Sequence, residues 1–410
     1  MTTIFCRGGC RPGHALVLVA PVLMALGAAA RGEDWLTFRG AGGGSRAAAG
    51  TLPTELSADA VRWSVALPGR GLSGPLVVGR RVFVTTSDGP LQDRLHVVCL
   101  DAASGAILWD RQVWATGRTM CHSKTSVAAP TPCSDGRRVY AAFSSGDVVC
   151  TDLDGALQWV RGITYDYPNV SNSLGMASSP LVVGDVVVVP MENDSESYTL
   201  GLDATTGANR WRLDRPKGAN WTSPVDLGGG LVALQSKTGV DAVAIADGTT
   251  AWRYTDGADT VASSCLEGGV LYVPSNGVTA LALDAADPTR EPRQVWRSNQ
   301  LTPATASGLV AGDAVYSINR GDVLTAGERD TGKRRWQLRL QGPFSTTPVT
   351  DGAHLWAVNE GGLIQVVRLG KEEGQIVSTL DLADEILCSP AVSDGSLFVR
   401  SNSHIYRVGR

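Results

Sequence analysis

An all-β chain folded as a single eight-bladed β-propeller, with four-stranded antiparallel blades, is predicted by three observations. Glycine stands four residues before tryptophan at Gly105/Trp109, Gly155/Trp159, Gly207/Trp211, Gly248/Trp252 and Gly332/Trp336. Successive tryptophans are separated by roughly 40 to 50 residues, the length of four strands with their turns. A small residue before proline keeps the same beat from another part of the repeat, at Gly74-Pro75, Ala129-Pro130, Ser179-Pro180, Ser223-Pro224, Thr347-Pro348 and Ser389-Pro390. Ser264-Cys265 and Thr305-Ala306 fill the two missing beats and bring the count to eight.

Each repeat has a chemical reason. The stretch 100–109, Leu-Asp-Ala-Ala-Ser-Gly-Ala-Ile-Leu-Trp, reads as strand, tight turn, strand. Asp and Ser can hydrogen-bond the turn backbone, and Gly can take the positive φ that such turns need. The Trp then falls on the outgoing strand, where a large flat side chain can seal a gap between sheets. Trp63, Trp109, Trp159, Trp211, Trp252, Trp296 and Trp336 are therefore read as blade-docking residues, with an insertion in the turn before Trp296. Ser378 stands where an eighth Trp is expected. Proline suits the first residue of a strand, where its missing N–H breaks no ladder bond.

Domain organisation follows from the same beat. Residues 1–30 read as a signal peptide: Arg7 and Arg11 precede an apolar run, and small residues at 28–32 offer a cleavage site. The run is short for a membrane span, although retention as an anchor stays open. Cys6 and Cys10 would leave with it, and no cysteine lies at the cleavage point to accept a lipid. Residues 31–56 read as an anchoring segment, Asp34-Trp35-Leu36-Thr37-Phe38-Arg39-Gly40, followed by a Gly/Ala-rich linker. Residues 57–410 form the propeller. The C-terminal stretch has the opening Pro marker but no closing Trp, so the strand carrying Trp63 is expected to complete its blade and remove two exposed edges.

The charge of −4 becomes −6 without Arg7 and Arg11, and no Lys/Arg run occurs, which argues against a nucleic-acid partner. Cys99 and Cys150 share one repeat position and are expected as buried strand residues, whereas Cys121 and Cys133 bracket one connection and could pair as a disulfide. No Gly-x-Ser-x-Gly elbow is present, and no histidine sits at metal-ligand spacing from Cys121-His122.

The repeat Leu-Asp-Ala-x-x-Gly-x-x-x-Trp, as at 100–109 and 202–211, resembles the tryptophan-docking repeat of the PQQ-like (pyrroloquinoline quinone) β-propeller family, over residues 57–408. That family includes quinone enzymes and the BamB-like outer-membrane assembly factors. The opening Asp34-Trp35-x-x-Phe38-Arg39-Gly40 is similar to the start of its exported members. The resemblance implies one of two functions. One is a non-catalytic scaffold that binds envelope proteins, in the periplasm or at the cell envelope, as a monomer or within a hetero-complex and without a cofactor. Peripheral membrane association is compatible with it. The alternative is a PQQ- and Ca²⁺-dependent oxidoreductase of the alcohol or glucose dehydrogenase type. The scaffold is the expected reading, because no two cysteines are neighbours, no Cys-x-x-Cys-His occurs, and no calcium-ligand positions can be matched.

Two connections are richer than a propeller needs. One contains Arg118, Cys121, His122 and Lys124, and the other Tyr165, Asp166, Tyr167, Asn169 and Asn172. Both run from an outer to an inner strand, which places them on one face near the central channel, where propellers bind ligands. Asn220 and Trp221 could join them, while Glu192-Asn193-Asp194 belongs to another connection type and its face stays open. The expected site is a polar pocket with His122, Lys124, Tyr165, Asp166 and Tyr167 at its mouth; the competing reading is loop residues that bond only one another.

Overall fold

The computed structural model describes residues 1–3, 9, 34–171 and 173–409. The signal-peptide reading and Asn172 lie outside the described residues. Eight separate four-stranded antiparallel sheets follow one another along the chain. Blades 1 to 7 span residues 76–114, 133–162, 181–214, 225–254, 265–298, 309–339 and 349–381. Blade 8 takes Ala391–Ser393, Ser396–Arg400 and His404–Gly409 from the C-terminus, and its outer strand is Val61–Ala66. Val61–Ala66 pairs antiparallel with His404–Gly409, matching Trp63 to Arg407 and Ala66 to His404.

The repeat forms as the residues dictate. Asp101 Oδ1 accepts hydrogen bonds from the N–H groups of Ala103 and Ser104 and from the Ser104 hydroxyl, at 3.1, 2.8 and 2.8 Å. Asp203 does the same for Thr205 and Thr206. Each docking Trp donates its indole N–H to a backbone carbonyl of the following blade: Trp63 to Ala102, Trp109 to Leu153, Trp159 to Ala204 and Trp211 to Ile245. Trp252, Trp296 and Trp336 continue to Pro288, Arg329 and Gly370. The turn insertion before Trp296 thus supplies Pro288 as the acceptor for Trp252.

At the seam between blades 7 and 8 the pattern changes. Ser378 replaces the Trp, and its hydroxyl accepts the N–H of Leu56 at 2.8 Å. The chain before Val61–Ala66 fills the space, with Trp356 fully buried and donating to Pro53 O at 2.9 Å. Leu52, Leu56 and Trp35 join Trp356 and Phe398 in one core cluster.

The proline marker is in a different register from the sequence reading in three blades. The inner strands of blades 2, 5 and 6 begin at Cys133, Cys265 and Leu309. The equivalent small residues are therefore Thr131, Ser263 and Ser307, not Ala129, Ser264 and Thr305. Blade 2 carries prolines at both 130 and 132, and the hydrogen bonds described below select the second. Cys99 and Cys150 are buried strand residues, and Cys121 and Cys133 are both free thiols, so the disulfide does not form.

Candidate functional site

The small residue before each inner strand does more than start it. Its hydroxyl accepts the backbone N–H of the equivalent residue one blade earlier. Thr131 accepts from Gly74 at 2.8 Å, Ser179 from Thr131 at 3.1 Å, and Ser223 from Ser179 at 3.0 Å. Ser263 accepts from Ser223 at 3.0 Å, Ser307 from Ser263 at 2.9 Å, Thr347 from Ser307 at 3.1 Å and Ser389 from Thr347 at 2.9 Å. Seven hydroxyls thus circle the central channel. The circle has one gap, at Gly74, because glycine has no hydroxyl to receive Ser389.

These residues line a cavity of about 590 Å³ in the channel mouth. His122, Lys124, Leu174, Trp221, Val261 and Leu387 also line it. Phe38 borders both this bowl and a smaller recess of about 280 Å³. The N-terminal segment lies across the other end of the channel. Trp35 bridges to Val77, Leu36 O accepts from Ser134, and the backbone at Ser45 and Ala47 pairs with Thr350. Arg39, buried, donates to Ser263 O and Ser264 O at 3.2 Å and to Gly308 O at 2.7 Å. The bowl therefore opens on one face only.

The structure divides the expected residues between two places. His122, Lys124 and Trp221 line the bowl. The Lys124 N–H donates to His122 Nδ1 at 3.1 Å, Lys124 Nζ pairs with Glu360 at 3.2 Å, and Trp221 donates to Gly175 O at 2.9 Å. Arg118 is exposed, and Cys121, half-buried, accepts from Gln92 at 3.8 Å; neither lines the bowl. Tyr165, Asp166, Tyr167 and Asn169 do not reach it either. Asp166 pairs with Arg161, Asn169 meets Glu196 at 3.4 Å, and the Arg212 guanidinium lies 4.6 Å from the ring centres of both Tyr167 and Tyr198. That connection starts with a helical turn, Ile163–Asp166, which keeps these side chains beside the outer strands of blades 2 and 3.

Glu192-Asn193-Asp194 lies on the same face as these connections. The Asp194 N–H donates to Ser171 O at 3.2 Å, and Asn220 Nδ2 donates to Glu192 Oε2 at 2.8 Å. In an up-and-down blade, alternate connections share a face, so the turn between the second and third strands meets the outer-to-inner crossing. The Glu192 carboxylate is buried against Arg215, whose Nε is 2.8 Å away.

Sequence reasoning found the Ser/Thr-Pro beat but read it only as a strand start; the ring it builds depends on neighbouring blades. Leu174, Val261 and Leu387 carry no sequence signal of their own.

At the gap in the ring, the guanidinium of Arg400 is fully buried behind Ser73, donating from Nη1 to Ser73 O at 3.1 Å. Burial lowers its pKa to about 10, so it remains a cation at neutral pH. Its Nε and Nη2 have no partner among the described residues. Cys388, beside it in the bowl wall, is pushed by burial up to about 11 and is a neutral thiol, a poor nucleophile.

The quinone and calcium of the PQQ enzymes place a specific demand on such a site. Ca²⁺ takes six to eight oxygen ligands, usually with carboxylates among them. No Asp or Glu lines the bowl. Of the carboxylates close by, Glu360 is engaged by Lys124 and the Ser345 hydroxyl, and Glu192 by Arg215 and Asn220. This donor set does not fit a carboxylate-held Ca²⁺. Among the described residues no group of three or more His, Cys, Asp or Glu side chains is placed to hold a metal.

Comparisons with known proteins agree with the fold. Residues 30–194, 175–290 and 285–383 match the family model described as outer membrane protein assembly factor BamB. The outer membrane protein assembly factor BamB of Alkalilimnicola ehrlichii is 29% identical over 209 residues, spanning 50% of this chain and about half, 49%, of that relative. The protein of the same name from Moranella endobia is 22% identical over 354 residues, 82% of this chain and 84% of its own. Among solved structures, BamB from Moraxella catarrhalis superposes with a TM-score of 0.62 at 19% identity, covering 85% of this chain and 97% of that one. The quinohemoprotein alcohol dehydrogenase from Comamonas testosteroni reaches 0.69 at 13% identity, covering 92% and 80%. At these identities the structural likeness speaks for the propeller alone.

Proposed function

This chain belongs to the family of the outer membrane protein assembly factor BamB, and on that premise we propose that it is a non-catalytic scaffold of the cell envelope. The observation that carries this reading is the family match, which runs from residue 30 to 383 and so takes in seven of the eight blades. The disc offers a rigid platform, and the loops of its open face present side chains without moving the blades. Its partners are proteins of outer-membrane assembly, and it reaches them by export through the N-terminal segment.

Support for the non-catalytic part comes from the bowl. It has a neutral thiol, hydroxyls bonded into a ring, and carboxylates nearby that are already paired with cations. In its native host, affinity-tagged protein is expected to fractionate with the envelope and to co-purify with outer-membrane assembly proteins. Recovery from the cytoplasm without them overturns the scaffold. Titration with PQQ and Ca²⁺, followed by dye reduction with alcohols and sugars, tests the alternative. Saturable turnover there makes the protein a compact quinoprotein.

A further inference from the structure

We propose that the bowl is a binding site for a small organic monoanion, an apolar body with a carboxylate head, seated head-down on the hydroxyl ring. Three observations meet in this cavity. The ring residues Thr131, Ser179, Ser223, Ser263, Ser307 and Thr347 are between 2% and 7% exposed. Each oxygen accepts a backbone N–H, as described above, and a hydroxyl carries one donor besides its acceptor lone pairs. None of their O–H groups donates to a described residue, so these donors can turn into the cavity that they line. Buried donors need acceptors.

The charges around the bowl point the same way. Its lining holds the Lys124 ammonium and no carboxylate. Where the ring lacks its eighth hydroxyl, Arg400 stands behind the wall as a buried cation with Nε and Nη2 unpaired. A lining that mostly donates selects a ligand that mostly accepts. A carboxylate only accepts, and bonds to an ionised acceptor are the stronger ones. A sugar brings an O–H donor with every hydroxyl, and the lining holds no carboxylate to receive those protons. A cation would find no charged oxygen here. Lys124 already shares its charge with Glu360, which favours a monoanion over a phosphate dianion.

The lip supplies the rest of the ligand's recognition. Leu174 and Val261 are 41% and 39% exposed at the mouth, beside Trp221 and Leu387. The volume, about 590 Å³, lies within the usual range for small-molecule pockets. The site works in this way whether or not the disc also holds protein partners.

The test compares 2-naphthoate with its neutral isostere 2-naphthamide by isothermal titration calorimetry, on wild type and on Val261→Trp. Val261 is half-exposed at the lip, so a bulky side chain there fills the mouth without entering the core. Leu174→Trp serves if the melting curve of the first variant is altered. Naphthoate is expected to bind at least about tenfold tighter than the amide, and the lip variant to weaken naphthoate binding by at least about tenfold. Equal affinity for the two probes, no naphthoate binding at millimolar concentration, or naphthoate binding unchanged by the lip variants each overturns the proposal.

Discussion

The indole of Trp211 covers Gly248 of the next blade so closely that a Cβ at position 248 would stand 2.8 Å from its Cδ2. The same indole donates to Ile245 O at 2.7 Å. One tryptophan is thus bonded to the turn of its neighbour and pressed against that turn's glycine, which also needs its φ of +76°. Trp211→Ala is expected to destabilise the protein by ~3–5 kcal/mol, as the loss of a large buried aromatic. Gly248→Ala is expected to cost ~1–3 kcal/mol through contact and backbone strain together. Urea unfolding of both variants checks this, and a loss below about 1 kcal/mol for Trp211→Ala contradicts the sealing role.

The hydroxyl ring makes a separate prediction. Ser263→Ala removes the acceptor of the Ser223 N–H and leaves a buried donor unmet. A cost of ~1–3 kcal/mol is expected. Ser263→Thr keeps the oxygen and should recover most of it. Thermal melts of the two variants side by side separate a lost hydrogen bond from a lost volume.

His96 links stability to pH. Burial alone would lower its pKa, but Nδ1 lies 2.9 Å from Asp110 Oδ1 and Nε2 lies 3.2 Å from Asp88 Oδ1. These carboxylates hold the imidazolium, and the pKa is raised above the ordinary 6.5. The stabilisation is therefore fully present below the unfolded value near 6.5 and is lost as pH rises through the raised folded value. Melting temperature should fall over that interval in wild type. In Asp110→Asn the fall should shrink, and an unchanged slope means that His96 is not the group responsible.

The thiols sort by burial. Desolvation pushes Cys99 and Cys150 up to about 12, and Cys133 and Cys265 are raised for the same reason. Cys121 is only half-buried. A thiol reagent applied to native protein should label Cys121 quickly, and Cys121→Ser should abolish that fast phase. Cys99→Ser and Cys150→Ser should leave it unchanged.

The blades were legible because their cause is local. Asp101 to Ser104 builds its turn from neighbours in sequence, and Trp four residues after Gly sets the phase. The closure by Val61–Ala66 was legible as well, from an opening marker without its closing Trp. The bowl was only partly so. Loop polarity drew attention to Tyr165, Asp166 and Tyr167, yet a single helical turn and the Arg212 guanidinium hold that connection beside the outer strands. The Ser/Thr ring was visible as a beat, and its misregistration in three blades came from competing small residues, Ala129 against Thr131 among them. Only the N–H from the preceding blade decides between them. Arg400 gave no signal at all, because its burial arises where the two chain ends meet.

That meeting has a kinetic consequence. The Arg62 side chain bonds to Gly409 O across a sequence separation of 347 residues. At roughly 5–20 residues per second, the strand Val61–Ala66 leaves the ribosome on the order of 20–70 s before its partner is made. Until then, the nascent chain carries an unpaired first strand and a growing arc with an open edge. Such an edge is a template for pairing with other chains, and closure by the last strand removes it.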